Sequence, residues 1–211
     1  GEKTTNEYIL LSENIETIEG YFLLDHTYDN LFINFIEEKF SGIVPDLIYK
    51  KNGVIYKEPL LRKEKNILSS RSFSIAEFSN IEDIMIEYTI ADYVFSKKTN
   101  IEKAVVYPDL FSEKIFRNGE ILITHEKETF FDTTLIYILN SNIKDSQSII
   151  YPFYIGPNSV PFNKPLRFSI NLMNDKNINH LVLSSYNNSK KSWAPLETQR
   201  DGNKTLSSKI K

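Results

Sequence analysis

The chain has 211 residues and a formal net charge of −3, and hydrophobic residues make up 41% of it. This apolar content is sufficient for a folded core and argues against a disordered chain. The charge balance provides no basic excess for binding nucleic acid, and the absence of cysteine excludes disulfides and thiolate metal sites.

In the first half of the chain, short runs rich in β-branched and aromatic residues alternate with turn residues and predict β-strands. The Asn52-Gly53 pair predicts a tight type I′ hairpin, because both residues accept a positive φ. Segments 13–19 and 74–81 hold no more than a short helical turn. The predicted strands are 31–36, 47–51, 54–56 and 84–90.

The second half continues in the same way. A second hairpin is predicted at Asn118-Gly119, and segment 166–172 alternates apolar and polar residues, as expected for a strand with one buried face. The regular spacing of short strands is typical of a β-sandwich. The other strands predicted here are 103–107, 135–139, 149–154, 181–183 and 193–196.

These elements predict an all-β fold of two tandem immunoglobulin-like β-sandwich modules. A lead-in segment (1–14) precedes a first module (15–98) and a second module (102–211), with the boundary in the polar interval 98–102. One larger sandwich with long insertions is the alternative. The chain begins without methionine and ends in a predicted strand, so we expect it to be part of a longer protein with the last strand incomplete.

The residues that usually perform catalysis form no recognisable pattern. The histidines His26, His125 and His180 lack metal-ligand spacings, and we interpret them as surface or turn residues. No glycine-rich phosphate loop or nucleophile elbow occurs. Glu126 and Glu128 lie two residues apart, as paired carboxylates of a β-jelly-roll hydrolase could, but a polar turn is the simpler interpretation. We therefore expect no catalytic residue, metal or cofactor.

Aromatic side chains of the second module are the remaining candidates for a binding site. Tyr151, Tyr154 and Trp193 could form a platform on which sugar rings stack, as in a carbohydrate-binding or adhesin module. A buried tryptophan is also a normal core residue of β-sandwiches, so Trp193 has both interpretations.

A longer pattern resembles a known group of proteins. Residues 157–165 read P-x-x-x-P-F-x-K-P and lead into the alternating strand 166–172, which resembles strand entry in an immunoglobulin-like sandwich. Together with the Asn118-Gly119 hairpin, Trp193-Ala194-Pro195-Leu196 and Asp201-Gly202, this order is similar to the accessory region of lysostaphin-type zinc metallopeptidases of Bacteroidetes-like bacteria.

The resemblance covers about 103–210 and implies a non-catalytic, secreted region of the bacterial envelope, extracellular or periplasmic. The zinc-binding His and Asp motifs of those peptidases are absent, so no catalytic residue carries over. The implied partner is a neighbouring domain of the same chain or a cell-wall or cell-surface component, and no apolar run is long enough to span a membrane. The sequence does not determine the oligomeric state.

Overall fold

A computed structural model describes residues 19–27, 29–90, 93–140, 152–157, 160–172, 180–187, 190–202 and 204–210. Nearly all of the regular structure in these ranges is antiparallel β-strand, which confirms the predicted all-β, sandwich-type fold class. Among the same residues, no helix is long and apolar enough to cross a membrane. The elements in chain order are β1 (Gly20–Thr27), β2 (Asn30–Glu37), β3 (Asp46–Lys51), β4 (Val54–Pro59), β5 (Leu61–Glu64), β6 (Ile67–Ser69), β7 (Phe73–Ser74), α1 (Ile75–Ser79), β8 (Ile81–Ile90), β9 (Tyr93–Thr99), β10 (Ile101–Val106), β11 (Ser112–Phe116), a 3₁₀ turn (Arg117–Gly119), β12 (Ile121–His125), β13 (Thr134–Asn140), β14 (Phe153–Gly156), β15 (Leu166–Asn171), β16 (Ser184–Asn187), β17 (Ser192–Pro195), β18 (Gln199–Asp201) and β19 (Thr205–Ile210).

The chain forms two compact units. The first contains the described residues up to Ile101 together with 137–140 and 152–157, and the second contains Glu102–Ile136 and the described residues from Val160 onward. Residues 137–140 and 152–157 therefore group with the first unit rather than with the segment 102–136. The domain limits given above, 1–14, 15–98 and 102–211, stay a prediction.

The first unit contains a sheet of order β1-β2-β6-β5, in which β7 also pairs with β2, and a sheet of order β4-β3-β8-β9. In addition, residues 137–140 of β13 pair with β14 in this unit. Buried and less buried residues alternate along β2, because successive side chains of a strand point to opposite faces. Tyr49 of β3 packs edge-to-face on Phe73 of β7, with ring centroids 5.4 Å apart. The two sheets therefore share one apolar interior.

Two local predictions in the first unit are confirmed. Strands β3 and β4 form a hairpin in which Asn52 and Gly53 have φ values of 51° and 82°, as a type I′ turn requires. The short helical turn predicted within 74–81 is α1, and the Ser74 side chain accepts a hydrogen bond from the Glu77 backbone N–H at its start.

The second unit contains a five-stranded sheet, with order β11-β12-β15-β19-β18, and a separate two-stranded ribbon of β16 and β17. One face of the large sheet is apolar, because register pairs Ile121 with Ile170 and Ile123 with Phe168 and all four residues are buried. The hairpin predicted at Asn118-Gly119 is confirmed, but residues 117–120 connect its strands instead of a two-residue turn. Residues 181–183, predicted to be a strand, instead precede β16.

Candidate functional site

Three neighbouring loops of the second unit form the surface that we call the loop surface: residues 107–111, 126–132 and 161–164. Backbone hydrogen bonds join the loops, since the Glu128 N–H donates to the Pro108 carbonyl at 2.6 Å and the Asn163 N–H donates to the Thr129 carbonyl at 2.8 Å. The Lys164 ammonium also donates to the Lys127 carbonyl at 2.8 Å. Loops tied in this way are held in one arrangement before any partner arrives.

Buried aromatic side chains support the loop surface from below. Phe130 is buried and packs edge-to-face on Phe162, with ring centroids 5.4 Å apart, and on His125 at 5.6 Å. The His125 ring also contacts the Glu126 carbonyl through Nδ1, at 3.2 Å. Burial is the main factor that lowers the pKa of His125, so this imidazole is neutral at pH 7 and acts as a packing residue.

The loop surface exposes large apolar side chains and contains a groove, which one of them, Phe131, lines. The groove has a volume of about 520 Å³, and its walls include Pro108, Asp109 and Phe131. Phe131 is 62% exposed and Phe111 57%, while Tyr107 and Leu110, the two ends of a hydrogen-bonded turn, are half exposed. Monomeric proteins rarely expose clustered large apolar side chains unless a partner covers them.

The charges of the loop surface are mainly acidic. Among the described residues, the carboxylates of Asp109, Glu126 and Asp132 have no ion-pair partner, whereas Glu128 pairs with Lys164 at 3.4 Å. Glu126 and Glu128 lie in a polar turn, as expected from the sequence, and the Thr129 N–H closes the turn by donating to the Glu126 carbonyl. The Glu128 side chain is 75% exposed, and Glu126 is exposed as well.

The described residues of the predicted aromatic platform belong to different units. Trp193 lies on β17 of the second unit, Tyr154 lies on β14 of the first, and Tyr151 is outside the described residues. Trp193 is 37% exposed, so its interpretation as a core residue is wrong. Its neighbour across the ribbon is Tyr186, with ring centroids 5.2 Å apart in an edge-to-face arrangement. The sequence analysis missed this partner.

The interpretation of all three histidines as surface or turn residues is wrong for two of them. His26 lies on β1 and His125 on β12, and both are buried, while His180 is exposed. Each buried histidine occupies an inward-facing strand position, which a turn residue would not. Within the described part of the chain, no group of three or more His, Asp or Glu side chains could hold a metal ion.

The first unit contains a buried ion pair that the sequence analysis also missed. Glu37 accepts hydrogen bonds from Arg62 at 2.6 Å, from the Tyr88 hydroxyl at 3.1 Å and from Ser41. Glu37 and Lys39 share a strand face in the sequence, but Lys39 pairs with Glu19 instead. Burial, reinforced by the Glu37 charge, raises the pKa of Tyr88 far above its ordinary value. These contacts join β2, β5 and β8, and we interpret the cluster as structural.

A second cluster of charged side chains holds α1 against β3 within the first unit. Arg71 donates to Glu77 at 2.6 Å and to the Tyr49 hydroxyl at 3.1 Å, and Lys51 donates to Glu77 at 2.9 Å. The hydrogen bond from Arg71 is the main factor that lowers the pKa of Glu77 to about 2. Each charge of this cluster serves a contact within the unit, which again indicates a structural role.

A scan against protein-family models, a search of curated proteins and a search of solved structures each found no match to this chain.

Proposed function

We propose that this chain is a non-catalytic, immunoglobulin-like β-sandwich region of a secreted bacterial envelope protein, attached to a peptidoglycan metallopeptidase. It acts as a binding and positioning module, and the loop surface is its point of contact with a cell-wall or cell-surface partner. The observation that carries the proposal is the group of exposed aromatic side chains of the hydrogen-bonded loop surface, Tyr107, Phe111 and Phe131, of which Phe131 lines the groove.

Energetics favour binding at this position. Covering one exposed phenylalanine side chain is worth about 1.5–3 kcal/mol, and aromatic residues are common among the residues that dominate binding energy. The hydrogen bonds between the Glu128 and Asn163 N–H groups and the neighbouring loops hold the surface in place. A pre-formed surface loses little conformational entropy on binding, which preserves more of this gain.

Sedimentation with purified peptidoglycan sacculi tests the proposal. The full chain should pellet with sacculi, and Phe131→Ala should reduce the bound fraction because it removes the most exposed aromatic ring beside the groove. Phe40→Ala is the matched control, since Phe40 is also a half-exposed phenylalanine but lies in the first unit. Equal binding by both variants, or no binding by the unaltered chain, would refute the role of the loop surface.

The attachment to a peptidase has its own test. The complete gene from which this chain derives should encode a zinc-peptidase motif upstream. A complete reading frame without His and Asp zinc ligands would contradict this part of the proposal and leave the binding role unaffected.

The Tyr186–Trp193 pair favours a second candidate, a carbohydrate-binding or adhesin module. The pair stands on a two-stranded ribbon, and Trp193 is partly open to solvent. A partly exposed indole can stack on a sugar ring. Binding on a glycan array that is lost in Trp193→Ala, with an unchanged circular dichroism spectrum, would support this candidate. Array binding that Trp193→Ala leaves intact would refute it.

A further inference from the structure

We propose that the loop surface recognises an extended, basic peptide segment whose lysine or arginine side chains lie over its exposed aromatic rings. This inference rests on the proposed binding role of the loop surface and adds the chemistry of the partner. Its two supports are the charges of the surface and the cations that lie over several aromatic rings of the first unit.

Charge is the first support. Four carboxylates belong to the loop surface, Asp109, Glu126, Glu128 and Asp132, while its ammonium groups are those of Lys127 and Lys164. Lys164 is already occupied, because it pairs with Glu128 and donates to the Lys127 carbonyl. The surface therefore attracts cationic partners and repels polyanions such as nucleic acid or an anionic lipid surface.

The aromatic rings are the second support. Several aromatic rings of the first unit have a cation of the same chain over them, although among the described residues none lies over Tyr93, which is 69% exposed. Phe40 is half exposed and has the Arg62 guanidinium 4.9 Å from its centroid, and Lys63 lies 4.3 Å from the centroid of Phe32. A cation over a ring face is attracted by the negative charge of the π system.

The rings of the loop surface differ from Phe40 and Phe32 in this respect. Within the described part of the chain, no lysine or arginine lies over Tyr107, Phe111 or Phe131, although these rings are at least as exposed as Phe40. Carboxylates are beside them instead, with Asp109 two residues before Phe111 and Asp132 next to Phe131. A lysine or arginine of a partner would meet both a ring face and a carboxylate, which is the combination that Arg62 makes with Phe40 and Glu37.

A peptide fits the groove better than a single small cation. A volume of about 520 Å³ accommodates more than one side chain. The three exposed rings stand on two different loops, so one residue of a partner would not cover them all. An extended segment places alternate side chains on the same side, and its basic residues could engage successive rings.

The test measures binding of synthetic peptides to the full chain by isothermal titration calorimetry. The probe is a blocked nonapeptide with lysine at alternate positions and leucine or glycine between them, and the comparison peptide has glutamate in place of every lysine. We expect the lysine peptide alone to bind, with affinity falling as salt is added. Phe131→Ala and Asp109→Lys should each weaken binding by about tenfold or more, and Phe40→Ala should leave it unchanged.

Two results would overturn the inference. One is the absence of lysine-peptide binding, and the other is binding that persists in both Phe131→Ala and Asp109→Lys. If either occurs while sacculi or soluble N-acetylglucosamine oligomers still bind through Phe131, the inference fails and the proposed function stands. If no probe binds, both fail. Unchanged circular dichroism spectra of the variants will separate lost binding from lost folding.

Discussion

Removing the arginine of the buried ion pair in the first unit should strongly destabilise that unit. The Glu37 side chain is 2% exposed and that of Arg62 is 20% exposed. Arg62 also donates to the Ile43 carbonyl at 2.7 Å and the Lys65 carbonyl at 2.6 Å. Arg62→Ala therefore leaves a buried carboxylate without its counter-charge and removes the donor of two further hydrogen bonds.

The magnitude follows from this geometry. Breaking one side of a fully buried ion pair costs about 3–5 kcal/mol. Water can partly replace Arg62, because a fifth of its side chain is exposed, so we expect Arg62→Ala to lower the free energy of unfolding by about 2–4 kcal/mol. Glu37→Met combined with Arg62→Met should be less destabilising than the sum of the two single changes, since no unpaired charge is left buried.

Urea unfolding followed by far-ultraviolet circular dichroism measures these changes. The fluorescence of Trp193, the one tryptophan of the sequence, reports on the second unit and assigns the transition that moves. The interpretation of this cluster as structural is refuted if Arg62→Ala costs less than about 0.5 kcal/mol, or if the effects of the two methionine changes simply add.

Three further predictions concern stability. Gly53→Val should lower the free energy of unfolding by about 1–2 kcal/mol, because a β-branched residue resists the φ of 82°. Gly53→Asn should lower it less, since asparagine tolerates a positive φ. Equal melting temperatures for the two variants would contradict this prediction. Gly156→Ala should destabilise the first unit by about 1–3 kcal/mol, because the new methyl group would overlap the Tyr137 ring, whose hydroxyl donates to the Leu24 carbonyl. Urea unfolding of Gly156→Ala, with Tyr137→Phe measured for comparison, checks this prediction. An unchanged unfolding midpoint for Gly156→Ala would contradict it. Finally, the pKa of Glu77 is about 2 in the folded chain and 4.5 ordinarily, so its stabilising effect is complete above pH 4.5 and is lost as the pH falls towards 2. Glu77→Gln should reduce the pH dependence of the free energy of unfolding over that range, as measured by urea unfolding at several pH values. An equally steep pH dependence in this variant would contradict a stabilising role for the Glu77 carboxylate.

Local sequence was sufficient for features that depend on neighbouring residues. The Asn52-Gly53 hairpin follows from backbone preferences of those two residues, and strand β15 follows from the alternation of Leu166, Phe168 and Ile170, all of which are buried. Such features need no knowledge of the rest of the fold.

Features that depend on distant residues could not be predicted in the same way. Glu37 and Lys39 are close in sequence, but the partner of Glu37 is Arg62, which reaches it from β5. Trp193 has the sequence context of a core residue, but it lies on a two-stranded ribbon and stays partly exposed. Whether other parts of the protein cover a given sheet face depends on the whole fold, so local sequence does not determine it.

The sequence contains a signal for the loop surface. Phe130 and Phe131 are adjacent phenylalanines within a turn that also contains Glu126, Glu128 and Asp132. Consecutive residues point in different directions, so one ring can be buried while the other faces solvent among carboxylates. The structure places Phe130 inside and Phe131 outside.

Hydrogen–deuterium exchange of the full chain, with and without soluble fragments of peptidoglycan, tests the central claim most directly. We expect slower exchange in segments 107–111 and 126–132, with little change in β3 and β4 of the first unit. Protection confined to β16 and β17 would instead support the Tyr186–Trp193 ribbon as the binding site. Unchanged exchange throughout the chain at saturating fragment concentration would contradict a binding role for the loop surface.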